Sequence, residues 1–219
     1  MEKKSSAFKR IIKDTLILFT ITLIAGLCLG AVEKITREPI KKAQREAKEK
    51  AYMTVFDSAD SFESTKELDE LLKNSEDILK DNGYSQTEVT EAVAAYKDEQ
   101  IAGYVLTVTN YEGYGGEITL VVGIGCDGVI KGYEVLAINE TPGLGMNAKE
   151  DEFKNQYAGK KAIKLSWTKT GATKANEVDA ISGATITTKA VNNAVNAASA
   201  LITDEEKGLI SLEEGEKNE

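Results

Sequence analysis

The stretch from Glu117 to Ile138 reads EITLVVGIGCDGVIKGYEVLAI, two apolar runs separated by a short polar turn. Both runs are rich in β-branched residues, which are typical of strands. Cys126-Asp127-Gly128 stands between them, and an Asp-Gly pair between two apolar runs is a strong hairpin signal. The stretch therefore predicts two antiparallel strands, from Glu117 to Gly125 and from Val129 to Ile138.

Elements of both kinds are predicted on either side of this hairpin. Ile101 to Thr109 has the composition of a strand, and Ala162 to Thr168 is a further strand candidate. A final helix is predicted from Ala184 to about Ile202, because its apolar residues recur on one helix face. Residues 51–83 also have apolar residues at helical spacing, and Asn82-Gly83 supplies a helix stop. Together these elements predict an α+β domain with an antiparallel sheet.

An apolar segment without charged residues, Thr15 to Val32, lies close to the N-terminus. As a helix it would extend about 27 Å, close to the thickness of the hydrocarbon core of a bilayer. We therefore predict a transmembrane helix at 15–32, preceded by a cytoplasmic segment at 1–14. A cleaved signal peptide is the alternative, although no convincing cleavage site follows the run. Gly26 and Gly30 are spaced so that another helix could approach closely.

Lys and Arg residues flank the apolar segment on both sides, so the positive-inside rule decides the orientation only weakly. By default the short N-terminal segment stays inside, and the bulk of the chain lies on the extracytoplasmic side of the cell membrane. Residues 33–94 are predicted as a helical stalk and spacer, interrupted near Pro39. The compact domain is predicted at 95–205, followed by an acidic tail at 206–219.

The composition excludes several kinds of chemistry. The chain has 27 Lys and Arg against 36 Asp and Glu, a formal net charge of −9, and it contains no histidine. Without imidazole there is no Ser-His-Asp or Cys-His pair, no ordinary zinc site and no His-ligated haem. Cys28 and Cys126 are too few for an iron–sulfur cluster, and the acidic balance argues against a nucleic-acid partner. We predict no catalytic side chain and no metal site, so that any redox chemistry would belong to a bound cofactor.

Two short segments differ from the rest of the chain, and the first directly follows a predicted strand. It reads Asn139-Glu140-Thr141-Pro142-Gly143-Leu144-Gly145-Met146. Pro142 restricts the backbone, while Gly143 and Gly145 permit close approach, so this loop could lie along a flat ligand. Taken alone, it could equally be a turn that ends the strand.

The second segment runs into the final helix and reads Asp179-Ala180-Ile181-Ser182-Gly183-Ala184-Thr185. Ser182 is a suitable N-cap, and Gly183 and Ala184 leave room for a bulky group. Thr185 would present a hydroxyl at the positive end of the helix dipole, where a phosphate is held most favourably. Asp179 is placed to hold a cation or the loop. The alternative is a plain capped helix start.

Together the two segments resemble the FMN-binding domain family of the Rnf and Na⁺-translocating NADH:quinone reductase complexes, over about residues 95–205 and with a similar N-terminal anchor. In that family FMN is attached covalently, as a phosphoester, to the last threonine of Ser-Gly-Ala-Thr, which corresponds to Thr185. The resemblance implies that a flavin transferase installs FMN by recognising the stretch that ends there. That stretch includes Asp179, Ser182, Gly183 and Ala184. The resemblance also implies that the flavin ring lies against Glu140, Thr141, Gly143, Leu144 and Gly145.

One departure from the family concerns proton transfer. Many relatives carry a histidine just before the Glu-Thr-Pro-Gly-Leu-Gly run or two residues before it, where this chain has Asn139 and Ile138. Any proton-handling role of that histidine does not carry over, whereas the implied flavin link is unaffected.

The compact length and the single anchor fit the G subunits of the Rnf complexes better than the C subunits of the quinone reductases. The resemblance thus implies an electron-relay component of a membrane-bound ferredoxin:NAD⁺ oxidoreductase that translocates Na⁺ or H⁺, with the other membrane and redox subunits as partners. No turnover is expected of the isolated chain. The alternatives are the flavin component of a quinone reductase or of another extracytoplasmic electron-transfer chain, and a membrane-tethered module without a cofactor.

Overall fold

The structure is a computed structural model that describes residues 2–204 and 206–210, with side chains from Arg10 onward. Most of the predicted acidic tail, residues 211–219, therefore lies outside the described residues, as does the first residue of the predicted cytoplasmic segment. The chain divides into two compact units, Met1–Glu46 and Ala47–Glu219.

The first unit belongs to a long helix, α1, which extends from Glu2 to Val55. Among the described residues, α1 is the one helix that is long and apolar enough to cross a membrane. The side chains of its apolar segment are exposed throughout. The hydroxyls of Thr20 and Thr22 donate to the carbonyls of Leu16 and Leu18, so these polar groups are satisfied within the helix.

The predicted interruption near Pro39 was wrong, because α1 continues through this residue. A proline inside a helix removes its own backbone hydrogen bond, but the flanking residues retain theirs. In α1 the surrounding helix is long enough to continue past that single loss.

The centre of the second unit is a five-stranded antiparallel sheet in the order β1-β2-β3-β4-β5. The bounds of the strands are Ser61–Glu63, Thr87–Lys97, Gln100–Gly113, Gly116–Gly125 and Ile130–Ile138. The predicted hairpin is confirmed as β4 and β5, and its turn is closed by a hydrogen bond from the Gly125 N–H to the Val129 carbonyl. The turn residue Gly128 has a φ of 68°, which glycine adopts without strain.

Helices cover both faces of the sheet. On one face lie α2 (Lys66–Lys73), α3 (Ser75–Asp81) and α5 (Thr185–Ile202), which together with the sheet form the main hydrophobic core. On the other face the last turns of α1 form a smaller core, in which Tyr52, Val55 and Phe56 join buried valines of the sheet. The arrangement confirms the predicted α+β class.

The chain between β5 and α5 consists of short elements. A 3₁₀ helix at Gly145–Lys149 is followed by α4 at Asp151–Lys154. Two three-residue strands, β6 (Ser166–Thr168) and β7 (Glu177–Asp179), then form a parallel pair. The predicted strand at 162–168 is therefore shorter than expected, because its first residues pair with other segments: the Ala162 N–H donates to the Gly128 carbonyl.

The compact unit begins earlier in the chain than the predicted boundary at residue 95. Strand β2 starts at Thr87 and pairs with β3 along its length, while Leu68 and Leu71 of α2 are buried in the main core. Residues 47–94 are thus part of the domain itself and not a spacer. The alanines and charged residues of β2 conceal its strand character, since the alanines are buried only through long-range pairing.

Candidate functional site

The two unusual segments of the sequence meet in one cleft of about 440 Å³ between the loop after β5 and the start of α5. The predicted site residues that line it are Glu140, Thr141, Leu144, Gly145, Gly183, Ala184 and Thr185. Three further predicted residues, Gly143, Asp179 and Ser182, are not part of its lining. The volume lies within the usual range of small-ligand sites.

The start of α5 lacks the capping side chain that the sequence predicts. The helix begins at Thr185 with Ala184 in the N-cap position, and no side chain accepts a hydrogen bond there. Ser182 is exposed and lies two residues too early to cap the helix, so the predicted N-cap was wrong. The physical reason is the turn at Gly183, whose φ of 75° separates Ser182 from the first helical residue.

The first turn of α5 consequently presents backbone donors to the cleft. Among the described residues, the N–H groups of Thr185, Ile186 and Thr187 have no acceptor, and the first helical bond is the one from the Thr188 N–H to the Ala184 carbonyl. These N–H groups lie at the positive end of the helix dipole. An anion such as a phosphate is the ligand that such a helix start holds best.

Three threonine hydroxyls within four residues differ sharply in their surroundings. Thr185 is partly exposed at the cleft, whereas Thr187 is 1% exposed. Thr188 is fully buried, and its hydroxyl accepts from the Ile181 N–H and donates to the Ala184 carbonyl, both at 3.0 Å. Of the three, Thr185 has the most accessible hydroxyl for chemistry in the cleft.

Glu140 holds the loop after β5 against the turn between β3 and β4. Its side chain is buried, and Oε1 accepts from the N–H groups of Tyr114 at 2.8 Å and Gly115 at 3.3 Å. Because Oε1 is engaged in this way, only Oε2 and the other atoms of Glu140 could make the predicted contact with a flavin ring. The adjoining turn is closed by hydrogen bonds from Leu144 and Met146 to the Thr141 carbonyl.

Gly145 allows this loop to approach α5. A Cβ atom at residue 145 would lie 2.6 Å from Oγ1 of Thr187 and equally close to Oε2 of Glu140. No larger residue fits without a shift of the loop. Gly143 serves a different purpose, since its φ is 75° and the space around it is open.

Sequence reasoning missed three residues of the cleft, Tyr114, Ile186 and Thr187. Tyr114 is 72% exposed, Ile186 50% and the predicted Leu144 42%, so an apolar rim surrounds the polar helix start. The Gly-Tyr-Gly-Gly run that contains Tyr114 was the available signal for this residue. No local signal pointed to Thr187, because its place at the cleft depends on Gly145.

A salt bridge also fastens α5 to the sheet beside the cleft. Oε1 of Glu112 accepts from Nζ of Lys189 and Oε2 accepts from Nδ2 of Asn193, both at 2.7 Å. The hydrogen bond from Lys189 is the main cause of a lowered pKa for the Glu112 carboxyl. The ion pair therefore joins α5 to the end of β3.

Asp179 lies four residues before Gly183 but outside the lining of the cleft, and it has a structural task. Its Oδ1 accepts from the Ala172 N–H, and its own N–H donates to Oε1 of Gln156, each at 2.6 Å. Within residues 2–204 and 206–210, no group of three or more Cys, Asp and Glu side chains is arranged to hold a metal ion. The cleft itself combines first-turn N–H groups of α5 that have no acceptor among the described residues with the exposed side chains of Tyr114, Leu144 and Ile186.

Comparison with known proteins gives this arrangement a family. The FMN-binding domain family matches residues 113–200, a range that contains every residue of the cleft. The chain is 33% identical over 198 residues to the G subunit of the Na⁺-translocating ferredoxin:NAD⁺ oxidoreductase complex of Acetobacterium woodii, with 89% of this chain and 93% of that one covered. The chain belongs to this G-subunit family.

A second relative and one solved structure complete the comparison. The G subunit of the proton-translocating ferredoxin:NAD⁺ oxidoreductase complex of Clostridium ljungdahlii is 32% identical, with 84% of this chain and 88% of that one covered. The C subunit of the Na⁺-translocating NADH-quinone reductase of Parabacteroides distasonis is 26% identical, covers 58% of this chain and 69% of its own, and has a TM-score of 0.43. The two G-subunit relatives are named for different coupling ions, so membership of the family does not choose between Na⁺ and H⁺.

Proposed function

We propose that this chain is the flavin-carrying electron relay of a membrane-bound, ion-translocating ferredoxin:NAD⁺ oxidoreductase complex, with FMN linked to Thr185 by a phosphoester. The observation that carries the proposal is the cleft itself. It joins a partly exposed threonine hydroxyl, three first-turn N–H groups and the loop from Glu140 to Gly145 in a member of the G-subunit family.

The residues of the cleft fit a bound flavin phosphate. A phosphodiester keeps about one negative charge, and a helix N-terminus stabilises such a charge by about 1 kcal/mol. The N–H groups of Thr185, Ile186 and Thr187 supply donors that no residue of the described chain uses. The rim formed by Tyr114, Leu144 and Ile186 is suited to a flat apolar ring.

The surroundings of the three hydroxyls support Thr185 as the attachment site. Modification of Thr188 would remove the proton that its hydroxyl donates to the Ala184 carbonyl, and its side chain is sealed inside the fold. Thr187 is enclosed by the close approach of Gly145. Thr185 has neither obstacle, and a phosphate attached to its hydroxyl would lie beside the first-turn N–H groups.

FMN, when bound, would supply the reversible electron transfer for which a chain without histidine has no suitable side chain. The residues of the chain would hold the phosphate at the helix start, orient the ring along the loop after β5 and surround it with apolar side chains. Because the cleft is open at Tyr114, Leu144 and Ile186, one side of the ring would stay accessible to a redox partner.

The attachment requires a separate flavin transferase with FAD as the donor. In the proposed step Oγ1 of Thr185 attacks the phosphorus on the FMN side of the FAD pyrophosphate. The new O–P bond forms as the P–O bond to the AMP moiety breaks, AMP departs with the bridging oxygen, and the hydroxyl proton is released to solvent. The exposed position of Ser182 and Gly183 just before the attachment site supports recognition of this stretch by the transferase.

The decisive experiment is co-expression of the full chain with a flavin transferase, followed by in-gel fluorescence and intact mass measurement under denaturing conditions. The wild-type chain should gain the mass of one FMN less one water. Thr185→Val should remain unmodified. The matched control is Thr203→Val at the other end of α5, where the hydroxyl donates to the Ser199 carbonyl away from the cleft, and this variant should be modified normally. An unmodified wild-type chain, or modification that survives Thr185→Val, would overturn the assignment.

The side of the membrane and the partners need tests of their own. We propose that the domain lies on the extracytoplasmic side, so a C-terminal reporter that works only outside the cytoplasm should be active and a cytoplasmic reporter inactive.

Tagged protein should co-purify with ferredoxin- and NAD-reactive subunits. Co-purification with a quinone-reactive protein instead would place this flavin in a quinone reductase.

A further inference from the structure

We infer that Thr188 is a positioning residue for the flavin phosphate. Its buried hydroxyl braces the start of α5 from within the helix and so leaves the first-turn N–H groups free. The inference rests on the proposed function where it concerns the phosphate, whereas the bracing itself is a property of the chain.

The bracing is visible in the hydrogen bonds of one side chain. Oγ1 of Thr188 accepts from the Ile181 N–H and donates to the Ala184 carbonyl, both at 3.0 Å, which joins the two ends of the turn that precedes the helix. The Thr188 N–H donates to the same carbonyl at 2.9 Å. One threonine thus restrains the backbone of residues 181–184, including Gly183 at its φ of 75°.

The start of α2 shows the usual alternative within the same chain. There the N-cap residue Thr65 accepts from the Leu68 N–H through its side chain, and this bond uses one of the first-turn donors. The start of α5 has alanine at the N-cap and keeps all three of its first-turn donors without a side-chain acceptor. Restraint by Thr188, located in the helix, achieves an ordered helix start without occupying the groups that a phosphate needs.

Burial separates this role from recognition by an enzyme. Thr188 is 0% exposed, so a flavin transferase cannot contact it in the folded chain. Removal of its hydroxyl would leave the N–H of the buried Ile181 without an acceptor, and the turn would shift to find another. The effect on flavin attachment would then arise from misplaced N–H groups and from a displaced Thr185 hydroxyl.

The test measures the rate of flavin attachment on the purified full chain in detergent, with transferase and FAD, at a temperature where circular dichroism shows each variant folded. Thr188→Val has the same shape and no hydroxyl, and it should slow attachment by about tenfold or more, because a misplacement of about 1 Å costs up to about 100-fold. Thr188→Ser restores the hydroxyl and should stay within about threefold of the wild type by the same reasoning. Thr109→Val removes a buried hydroxyl of the sheet, bonded to Thr119, and should attach flavin normally however much stability it loses.

Amide hydrogen exchange supplies a readout that does not depend on flavin. In the chain without flavin, the Ile181 N–H should exchange faster in Thr188→Val than in the wild type, and Thr188→Ser should restore its protection. Attachment at the wild-type rate in a folded Thr188→Val chain would overturn the inference. If Thr188→Val does not fold, the rate of flavin attachment and the exchange of the Ile181 N–H are measured on the smaller variant Thr188→Ala instead, with the same expected results. A wild-type chain that never accepts flavin would instead defeat the proposed function, and unchanged protection of Ile181 would then refute the bracing as well.

Discussion

Gly145 and Thr187 approach each other so closely that a Cβ atom on the glycine would lie 2.6 Å from the threonine Oγ1. At this point the loop after β5 lies directly against the first turn of α5. The two segments that carry the flavin motifs therefore form one cleft because a residue without a side chain stands where they meet.

Gly145→Ala should disrupt this meeting point. The added methyl group would also lie 2.6 Å from Oε2 of Glu140, so the loop must move, and we expect the free energy of unfolding to fall by about 1–3 kcal/mol. Flavin attachment should slow as well. The measurement is urea denaturation of the full chain in detergent, combined with the rate of attachment.

Gly143→Ala is the matched control in the same loop. Its φ of 75° strains an alanine, but the space around the new methyl group is open. We expect a loss of about 1–2 kcal/mol from backbone strain alone and a smaller effect on attachment. Equal stability of Gly145→Ala and the wild type would show that the loop and the helix do not approach as closely as described.

Replacement of Glu140 should separate its acceptor role from its charge. Glu140→Gln keeps an oxygen that can accept from Tyr114 and Gly115, so this variant should retain most of the stability. Glu140→Ala leaves two partly buried N–H groups without an acceptor, which costs about 1–3 kcal/mol. The measurement is the free energy of unfolding of both variants from denaturation. If Glu140→Gln were as unstable as Glu140→Ala, the negative charge itself would be required.

The salt bridge between Glu112 and Lys189 should make the free energy of unfolding depend on pH. Because the folded-state pKa of Glu112 is lowered from its ordinary value of 4.5, its contribution is fully present above that value and is lost as the pH falls through the folded pKa. Glu112→Gln should therefore be less stable than the wild type at neutral pH, by about 1 kcal/mol for such a partly exposed pair. The difference should shrink as the pH falls below about 4.

Thermal unfolding of both chains across this pH range provides the measurement. Lys189→Met removes the other partner and should show the same convergence with the wild type at low pH. If the difference in stability between Glu112→Gln and the wild type were the same at every pH, the carboxylate would contribute through its shape and not through its charge.

The domain should fold from residue 47 and not from residue 95. A fragment of residues 47–210 keeps β2 and the last turns of α1, where Tyr52 packs in the smaller core and its hydroxyl lies 3.3 Å from Oγ1 of Thr107. A fragment of residues 95–210 loses most of β2 and exposes the edge of β3. We expect a cooperative thermal transition for the longer fragment only, measured by circular dichroism. A cooperative transition in the shorter fragment would refute this.

The local signals in the sequence predicted the parts of the fold that depend on neighbouring residues. The β4–β5 hairpin follows from the turn at Asp127-Gly128, and α5 follows from its apolar face. Strand β2 was not predicted, because its alanines and charged residues become a strand only when β1 and β3 pair with it. Pro39 was expected to interrupt α1, since a local rule does not weigh one lost hydrogen bond against a long helix.

The candidate site followed the same division. Both motifs and the candidate hydroxyl of Thr185 could be identified from residue types. The expected N-cap at Ser182 was wrong, because the turn at Gly183 separates Ser182 from the first residue of α5. The part played by Thr188 had no local signal, and the Gly-Tyr-Gly-Gly run around Tyr114 did not indicate its contact with Glu140. Their contacts become visible only when the turn, the loop and the helix are placed together.

The sequence by itself determined an apolar helix able to cross a membrane, an antiparallel hairpin, an amphipathic final helix and two short motifs, because each depends on residues close together in the chain. Only the tertiary structure decided how those motifs meet. Glu140 reaches the Tyr114 N–H across 26 residues and Lys189 reaches Glu112 across 77. Contacts of that kind depend on the packing of the whole sheet against α5, and no local pattern encodes them.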